Sequence, residues 1–354
     1  MKRFLICLTV VFMALAFVNC KTGGEGSSAL PGGGKFNLSD LFGKGKFDHS
    51  EGVDIDTTFR NLEAIDLYTW ITKEAPTARV LYKNDWFTFA DLRIPKTNKL
   101  KTADGYPVMV VIHGGAWNQT RSLDSVAPLA EALTDFGIAT YNVEMTRIGN
   151  DGGGYPRTLQ DVGEAVDYLR VLAPEWNLDL SRVIVVAHSS GGHIALWVSG
   201  RHKIDPSSPL YVPDPLPIKG VVSLAGIPNM ELAYAGGRAD MWTFLGVTTA
   251  EEAALLYPNT SAYHMLPTGV TTSHIIGTED NDWRIETTQG YVDQVNALGG
   301  QARINIITGA GHYDMVDICS PVWPTIVQEV FWVLGEQPPS GNLNKSKFCP
   351  VTGR

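Results

Sequence analysis

RVIVVAHSSGGHIALW, residues 182–197, opens as a run of β-branched residues and closes as an amphipathic helix, with two serines between two histidines at the join. A strand ending at Ala187 and a helix starting at Ser190 leave His188 and Ser189 on a very tight turn. A serine at the tip of such a turn projects its hydroxyl above the sheet, and the turn crowds the positions two before and two after it, so both must be small. For Ser189 those positions are Ala187 and Gly191; for Ser190 they are His188 and Gly192, where an imidazole would collide. Ser189 is therefore the nucleophile candidate, and Ser190 the residue whose backbone N–H opens the helix. Ala187 stands where glycine is usual, and the competing reading is a helix start with two capping hydroxyls.

Working outward, short β-rich runs alternate with helical stretches from about Ala78 onward, the pattern of a mostly parallel sheet covered by helices on both faces. The strand candidates are ARVLYKNDWFTFADLRI, YPVMVVIHG, IATYNVEM, RVIVVAHS, IKGVVSLAG, TTSHIIGT and ARINIITGA. Helices are expected over Leu123–Phe136, Leu159–Ala173, Gly191–Arg201, Trp283–Leu298 and Trp323–Leu334. Within the second, Val162, Ala165, Val166 and Leu169 recur at helical spacing and form one apolar stripe. The segment from Pro228 to Gly269 interrupts the alternation and is read as a small cap.

A serine hydroxyl needs a base to take its proton, and a histidine base needs an acceptor to fix its tautomer. In strand-turn-helix hydrolases these follow in the order Ser, Asp, His after later strands. HIIGTEDND and IITGAGHYDMVD each end a strand, which selects Asp280 and His312; Glu279 and Asp282 are rival acids in the same loop. The alternative for His312 is a surface-loop histidine. A tetrahedral intermediate also needs N–H donors for its negative oxygen. VVIHGGAW supplies Gly114 and Gly115 after a strand, to join Ser190 as the oxyanion hole, with His113 bracing the loop. Trp117 is expected to wall the acyl pocket, core packing being the alternative. His188 and His193 read as backbone-bonded rather than metal ligands. GNDGGGYP lacks the spacing and lysine of a phosphate loop.

The remaining features concern the ends and the compartment. The formal net charge of −9 argues against nucleic acid or anionic lipid as partner, since both need a basic face. MKRFLICLTVVFMALAFVNC carries two basic residues and an apolar run too short for a membrane span, which reads as a signal peptide. Its end, FVNC, resembles a loose version of the bacterial lipoprotein box, implying lipidation at Cys20 and a chain exported and membrane-anchored, facing periplasm or cell surface; an uncleaved anchor is the alternative. The expected organisation is a signal peptide over 1–20, a Gly/Ser-rich tether over 21–57, one domain over 58–338 and a tail over 339–354. Cys319 and Cys349 could form a disulfide in an oxidising compartment or remain two thiols. No Cys-x-x-Cys or Cys/His cluster suggests zinc.

Together VVIHGGAW, GGGYPRTLQDVGEAVDYL, AHSSGGHIALW, VVSLAGI, GTEDND and GAGHYDMVD resemble the esterase and formamidase branch of the α/β-hydrolases, which includes kynurenine formamidase-like, carboxylesterase-like and bacterial feruloyl-esterase-like enzymes. The resemblance runs from about residue 78 to 336 and implies an α/β-hydrolase fold with Ser189, Asp280 and His312 as triad and Gly114, Gly115 and Ser190 as oxyanion hole. It implies hydrolysis of a small neutral ester, or an amide or aryl-formamide, without cofactor or metal, and does not specify the substrate. The reading from another class is a surface-binding lipoprotein that keeps the fold only as a scaffold.

Overall fold

Eight strands form one sheet in the order β1-β2-β4-β3-β5-β6-β7-β8. The computed structural model describes residue 72, residues 74–85 and residues 87–340. The signal peptide, the lipidation site Cys20, the tether and most of the tail lie outside the described residues. The central strands are β3 (Tyr106–Ile112) and β5 (Leu178–His188). They pair in parallel with each other and with their other neighbours, β4 (Ala139–Val143) and β6 (Gly220–Leu224). Beyond β6 lie β7 (Thr271–Gly277) and β8 (Ala302–Ile307), also parallel.

The long first run of the sequence is two strands, not one. β1 (Ala78–Leu81) and β2 (Phe89–Arg93) pair antiparallel across a turn that contains Lys83, Asn84 and Asp85, and β2 then pairs antiparallel with β4. Asn and Asp favour turns because their side chains compete for backbone hydrogen bonds.

Why the central strands read as unbroken apolar runs is visible in which side each residue packs on. Val108, Val110 and Ile112 of β3 join Val183, Val185 and Ala187 of β5 in one core cluster, while Met109 and Val111 join Ile184 and Val186 in the other. Side chains alternate across a strand, so a strand covered on both faces must be apolar at every position. The first cluster is closed by α2 (Arg157–Trp176), through the expected stripe of Val162, Ala165, Val166 and Leu169, and by α3 (Ser190–Ser199). The second is closed by α1 (Ala127–Thr134) and α8 (Trp323–Leu334). Each buried Val, Leu or Ile contributes about 1.5–3 kcal/mol relative to exposure, so the stripe alone holds α2 to the sheet.

The helical stretch 123–136 is divided into a short 3₁₀ turn, Leu123–Val126, and α1, whose first turn holds Pro128. Proline lacks an N–H and so starts a helix more readily than it continues one. The interruption at 228–269 contains three short helices, α4 (Met230–Ala235), α5 (Asp240–Leu245) and α6 (Ala250–Thr260), inserted between β6 and β7. Thr249 and Glu252 form a capping box at the start of α6. α7 (Asp282–Ala297) connects β7 to β8. Cys319 is disulfide-bonded, and every other cysteine of the chain lies outside the described residues. Among the described residues no helix is long and apolar enough to cross a membrane.

Candidate active site

The parallel register brings the C-terminal ends of β5, β7 and β8 to one edge of the sheet. Ser189 follows β5 directly, with φ 54° and ψ −122°, a conformation that a non-glycine residue adopts only under constraint. That constraint is crowding. A Cβ at position 191 would stand 2.4 Å from the His113 carbonyl oxygen, one at 192 would stand 2.6 Å from the Gly226 Cα, and one at 114 would stand 2.9 Å from the Ser189 Cβ. Glycines at 114, 191 and 192 let the ends of β3, β5 and β6 close around the serine. The Ser189 N–H donates to the Leu224 carbonyl at 2.9 Å, which fixes the turn to β6.

His312 Nε2 lies 3.0 Å from Ser189 Oγ, and His312 Nδ1 lies 2.7 Å from Asp280 Oδ2. With Nδ1–H donating to the carboxylate, Nε2 is left as the acceptor facing the serine hydroxyl. The loops bearing Asp280 and His312 are tied to each other: Glu279 N–H donates to the Ala310 carbonyl at 3.0 Å, and Gly309 N–H donates to Thr278 Oγ1 at 2.8 Å. His188 adds a third tie, Nε2–H donating to the His312 carbonyl at 3.0 Å. The rival acids Glu279 and Asp282 are exposed, whereas the Asp280 side chain is 1% exposed.

Arg284 is a residue of the site that no local motif marks. It is buried, its Nε donates to Asp280 Oδ1 at 3.2 Å, and its Nη1 donates to the carbonyls of Ala225 and Gly226 at 2.5 and 3.2 Å. Its position four residues after Asp280, one helical turn into α7, was the only available signal, and an i, i+4 pair is too common on helices to single it out. Burial pushes the Asp280 carboxyl up, but the hydrogen bond and charge of His312 and the charge of Arg284 outweigh it and hold the group well below the usual carboxylate range. His312 is pushed below the ordinary histidine value by burial and by the charges of Arg284 and Arg238, against the pull of Asp280. A neutral imidazole facing a serine hydroxyl at neutral pH is the state a general base requires.

Gly114, Gly115 and Ala116 line the cavity beside Ser189. Gly115, Ala116 and Trp117 all have positive φ, so the chain after β3 winds in the left-handed sense around the cavity mouth. Among the described residues the N–H groups of Gly114, Gly115 and Ser190 donate no hydrogen bond, while the Trp117 N–H donates to Ser190 Oγ at 3.2 Å and clasps the two loops together. His113 sits behind this loop, Nδ1 2.7 Å from the Gly114 carbonyl and Nε2 3.1 Å from Glu144 Oε1.

The Trp117 side chain does not line the cavity. It is 3% exposed, stacks on Phe244 at 4.9 Å between ring centroids, and donates Nε1–H to His193 Nδ1 at 3.3 Å. The physical reason is the turn itself: the left-handed backbone at 115–117 points the indole into the core under the cap helices. His193 in turn donates Nε2–H to the Thr260 carbonyl at 2.7 Å, so it joins the core to α6. The cavity has a volume of about 390 Å³ and is lined further by Thr120, Arg121, Ser125, His188, Arg238, Asn281, Arg284, His312 and Tyr313. Only Arg238 comes from the 228–269 segment.

The BD-FAE family model matches residues 91–295. No curated protein matches the chain. Many solved structures share its architecture, among them these three. An acetyl ester-xyloside bifunctional hydrolase from Caldicellulosiruptor lactoaceticus is 17% identical over 75% of this chain and 100% of its own, with a TM-score of 0.59. Esterase B from Lactobacillus rhamnosis is 16% identical over 77% and 89%, TM-score 0.62. A propionate-bound esterase from Thermogutta terrifontis is 18% identical over 75% and 96%, TM-score 0.56. At these identities the likeness establishes a common fold, the α/β-hydrolase sheet with helices on both faces.

Proposed function

The chain belongs to the BD-FAE family, of α/β-hydrolase type, and on that premise we propose that it hydrolyses carboxylic esters with Ser189 as nucleophile, His312 as general base and acid, and Asp280 as the acceptor that orients the imidazole. The observation that carries the reading is the unbroken hydrogen-bonded chain from Ser189 Oγ through His312 to a buried carboxylate, at 3.0 and 2.7 Å. Ser189 Oγ attacks the ester carbonyl as its proton passes to His312 Nε2. The oxyanion that forms is met by the N–H groups of Gly114, Gly115 and Ser190, all free of other partners in the described structure. His312 then gives the proton to the leaving alcohol, and the acyl group stays on Ser189. Water, deprotonated by the same imidazole, releases the acid and restores the serine.

The test is the adjacent pair of serines. Ser189→Ala is expected to abolish hydrolysis of a short p-nitrophenyl ester and labelling by a fluorophosphonate. Ser190→Ala keeps its backbone N–H and retains most of the rate. Equal loss in the two variants, or labelling that survives in the first, overturns the assignment. A protein that labels at Ser189 but prefers aryl-formamides to esters is the formamidase of this fold, and one that neither labels nor hydrolyses is a binding scaffold.

Export and lipidation at Cys20 are part of the same proposal. They are supported by the basic-apolar-cysteine order of residues 1–20, and a disulfide at Cys319 suits an oxidising compartment. Metabolic labelling with palmitate, lost in Cys20→Ala, tests the anchor.

A further inference from the structure

Among the described residues the cavity beside Ser189 is lined by three guanidinium groups, and by no carboxylate and no Val, Leu, Ile, Phe, Met or Trp. Small-molecule sites are ordinarily walled by apolar and aromatic side chains with a few polar groups among them. Here the described lining offers an apolar acyl or alcohol group no large aliphatic side chain, its apolar surface including Ala116, the Thr120 methyl and the ring of Tyr313.

Two of the arginines are held rigidly and keep donors in reserve. Arg284 is 1% exposed; its Nε and Nη1 are engaged with Asp280 and the carbonyls of Ala225 and Gly226, and its Nη2 makes no hydrogen bond among the described residues. Arg238 is clamped in two-pronged fashion by Asp240 through Nε and Nη2, which leaves Nη1 without a hydrogen-bond partner among the described residues. Both guanidinium carbons lie over the Trp283 ring, at 4.7 Å for Arg284 and 5.9 Å for Arg238. The carboxylates that balance them, Asp280 and Asp240, do not themselves line the cavity. Arg121 has partners of its own and is not counted. Two fixed guanidinium groups therefore offer unspent N–H donors to one cavity in which no anionic group among the described residues competes for them, an arrangement suited to a carboxylate.

The side of the scissile bond follows from what these groups touch. Asn281 Nδ2 and Arg284 Nε donate to Asp280 Oδ1 at 3.0 and 3.2 Å, the Tyr313 ring lies 5.2 Å from the His312 ring, and Arg238 shares the Trp283 ring with Arg284, so these groups gather around the acid-base pair that hands its proton to the departing alcohol. The glycine loop 114–116 takes the opposite role, facing the acyl oxygen. Resting on the esterase reading above, we propose that the substrate is an O-acyl ester of a hydroxycarboxylic acid, whose free carboxylate, on the alcohol side, is held by Arg238 and Arg284. Ser189 Oγ displaces the hydroxy acid from the acyl carbon, its hydroxyl leaving with the proton from His312, and water then cleaves the acyl–Ser189 bond to release the acyl group as its acid. The downward push of both arginines on His312 fits the same positive field.

The experiment compares 4-acetoxybenzoate with its methyl ester, which share the acyl group and differ in charge on the phenol side, each rate divided by that of its alkaline hydrolysis. For the full chain at low ionic strength, the corrected kcat/KM of the anion is expected to exceed that of the methyl ester by about tenfold or more, as a charge-assisted hydrogen-bonded contact provides. Added salt lowers the ratio. In Arg238→Gln the ratio falls to about one, and Arg238→Lys, which keeps the charge but not the fork, retains part of it. A wild-type ratio of one or below, or a ratio that Arg238→Gln leaves intact, overturns the proposal. If the methyl ester is hydrolysed and Ser189 is labelled without any preference for the anion, this inference alone has failed. If neither ester is hydrolysed and Ser189 takes no label, the esterase reading has failed with it.

Discussion

The turn that carries Ser189 is shaped by backbone crowding, and the loop that carries Asp280 is shaped by charge. At 187, 191 and 192 the residues are small because three strand ends converge, and Gly191 admits the His113 carbonyl where a Cβ would lie 2.4 Å from it. At 278–284 the loop holds a buried carboxylate between an imidazole and a guanidinium, His312 at 2.7 Å and Arg284 at 3.2 Å. The first arrangement stores strain in φ at Ser189, whereas the second balances the desolvation of Asp280 against paired charge and hydrogen bonds. One edge of the sheet thus fixes Ser189 by steric exclusion and Asp280 by electrostatic attraction, and the two respond differently to substitution.

The sharpest separation of the two is at the acid. Asp280→Asn keeps the loop's shape but removes the charge that fixes the His312 tautomer, and kcat is expected to fall by about 10⁴, the loss seen when a triad carboxylate is neutralised. Glu279→Gln and Asp282→Asn, both exposed, should stay within about threefold of wild type, since solvent screens exposed charges. Steady-state kinetics on one p-nitrophenyl ester decides this, and a larger loss in Asp282→Asn than in Asp280→Asn breaks the comparison at its base.

The crowded turn should fail through the fold instead. Gly191→Ala drives a methyl group into the His113 and Ile112 carbonyls, at 2.4 and 2.6 Å, where rigid backbone cannot yield, and a loss of about 3 kcal/mol or more is expected. Gly290 is the matched control: it lies inside α7 with open space around it, and Gly290→Ala should stabilise by about 0.5–1 kcal/mol. Urea denaturation of the two variants measures both signs.

This contrast also accounts for what could be read from residues alone. Crowding acts at fixed offsets along the chain, so AHSSG separated Ser189 from Ser190, and strand-ending glycines located the loops of Asp280 and His312. The central strands were equally legible, because double-sided burial makes Val183–Val186 uniformly apolar. Pairings between distant segments leave no such trace. Arg284 reaches Ala225 and Gly226 across nearly sixty residues, and nothing in DNDWR-like local order around it, here NDWRIE, distinguishes a buried arginine from an exposed one. The division of 78–94 into two strands was hidden for a related reason: its β-rich residues flank a short turn, and the pairing of Ala90 with Val143 is settled only when β4 is in place.

Arg284 allows the charge half of the comparison to be tested without touching the acid. In the wild type the acid limb of the kcat/KM profile should lie below the ordinary histidine value near 6.5, since burial and the cations push His312 down and the neutral form persists to lower pH. Arg284→Gln removes the largest of those cations. Its limb should therefore move up, so that the loss relative to wild type is about tenfold on the plateau, from looser positioning of Asp280, and greater at mildly acidic pH. Arg284→Lys should restore part of the limb's position. A loss equal at every pH marks a purely structural role for the residue.

The smallest effect expected is at Trp117, which belongs to neither loop but lies beneath the junction between them. Its indole stacks on Phe244 and gives one hydrogen bond, 3.3 Å long, to His193 Nδ1. Trp117→Phe keeps the aromatic contact and removes the bond, leaving an imidazole acceptor unpaired, for a cost of about 1 kcal/mol. Because the backbone N–H of residue 117 still clasps Ser190 Oγ, the turn should hold its shape and activity should remain within about threefold, the range of a change that leaves the reacting groups in place. The discriminating readout is the ratio of rates on butyrate and acetate esters. An indole buried under the cap leaves that ratio unchanged on substitution, whereas an indole walling the acyl pocket would widen it toward the longer chain, and such a shift would place the acyl group on the core side of the glycine loop rather than in the cavity lined by Gly114–Ala116.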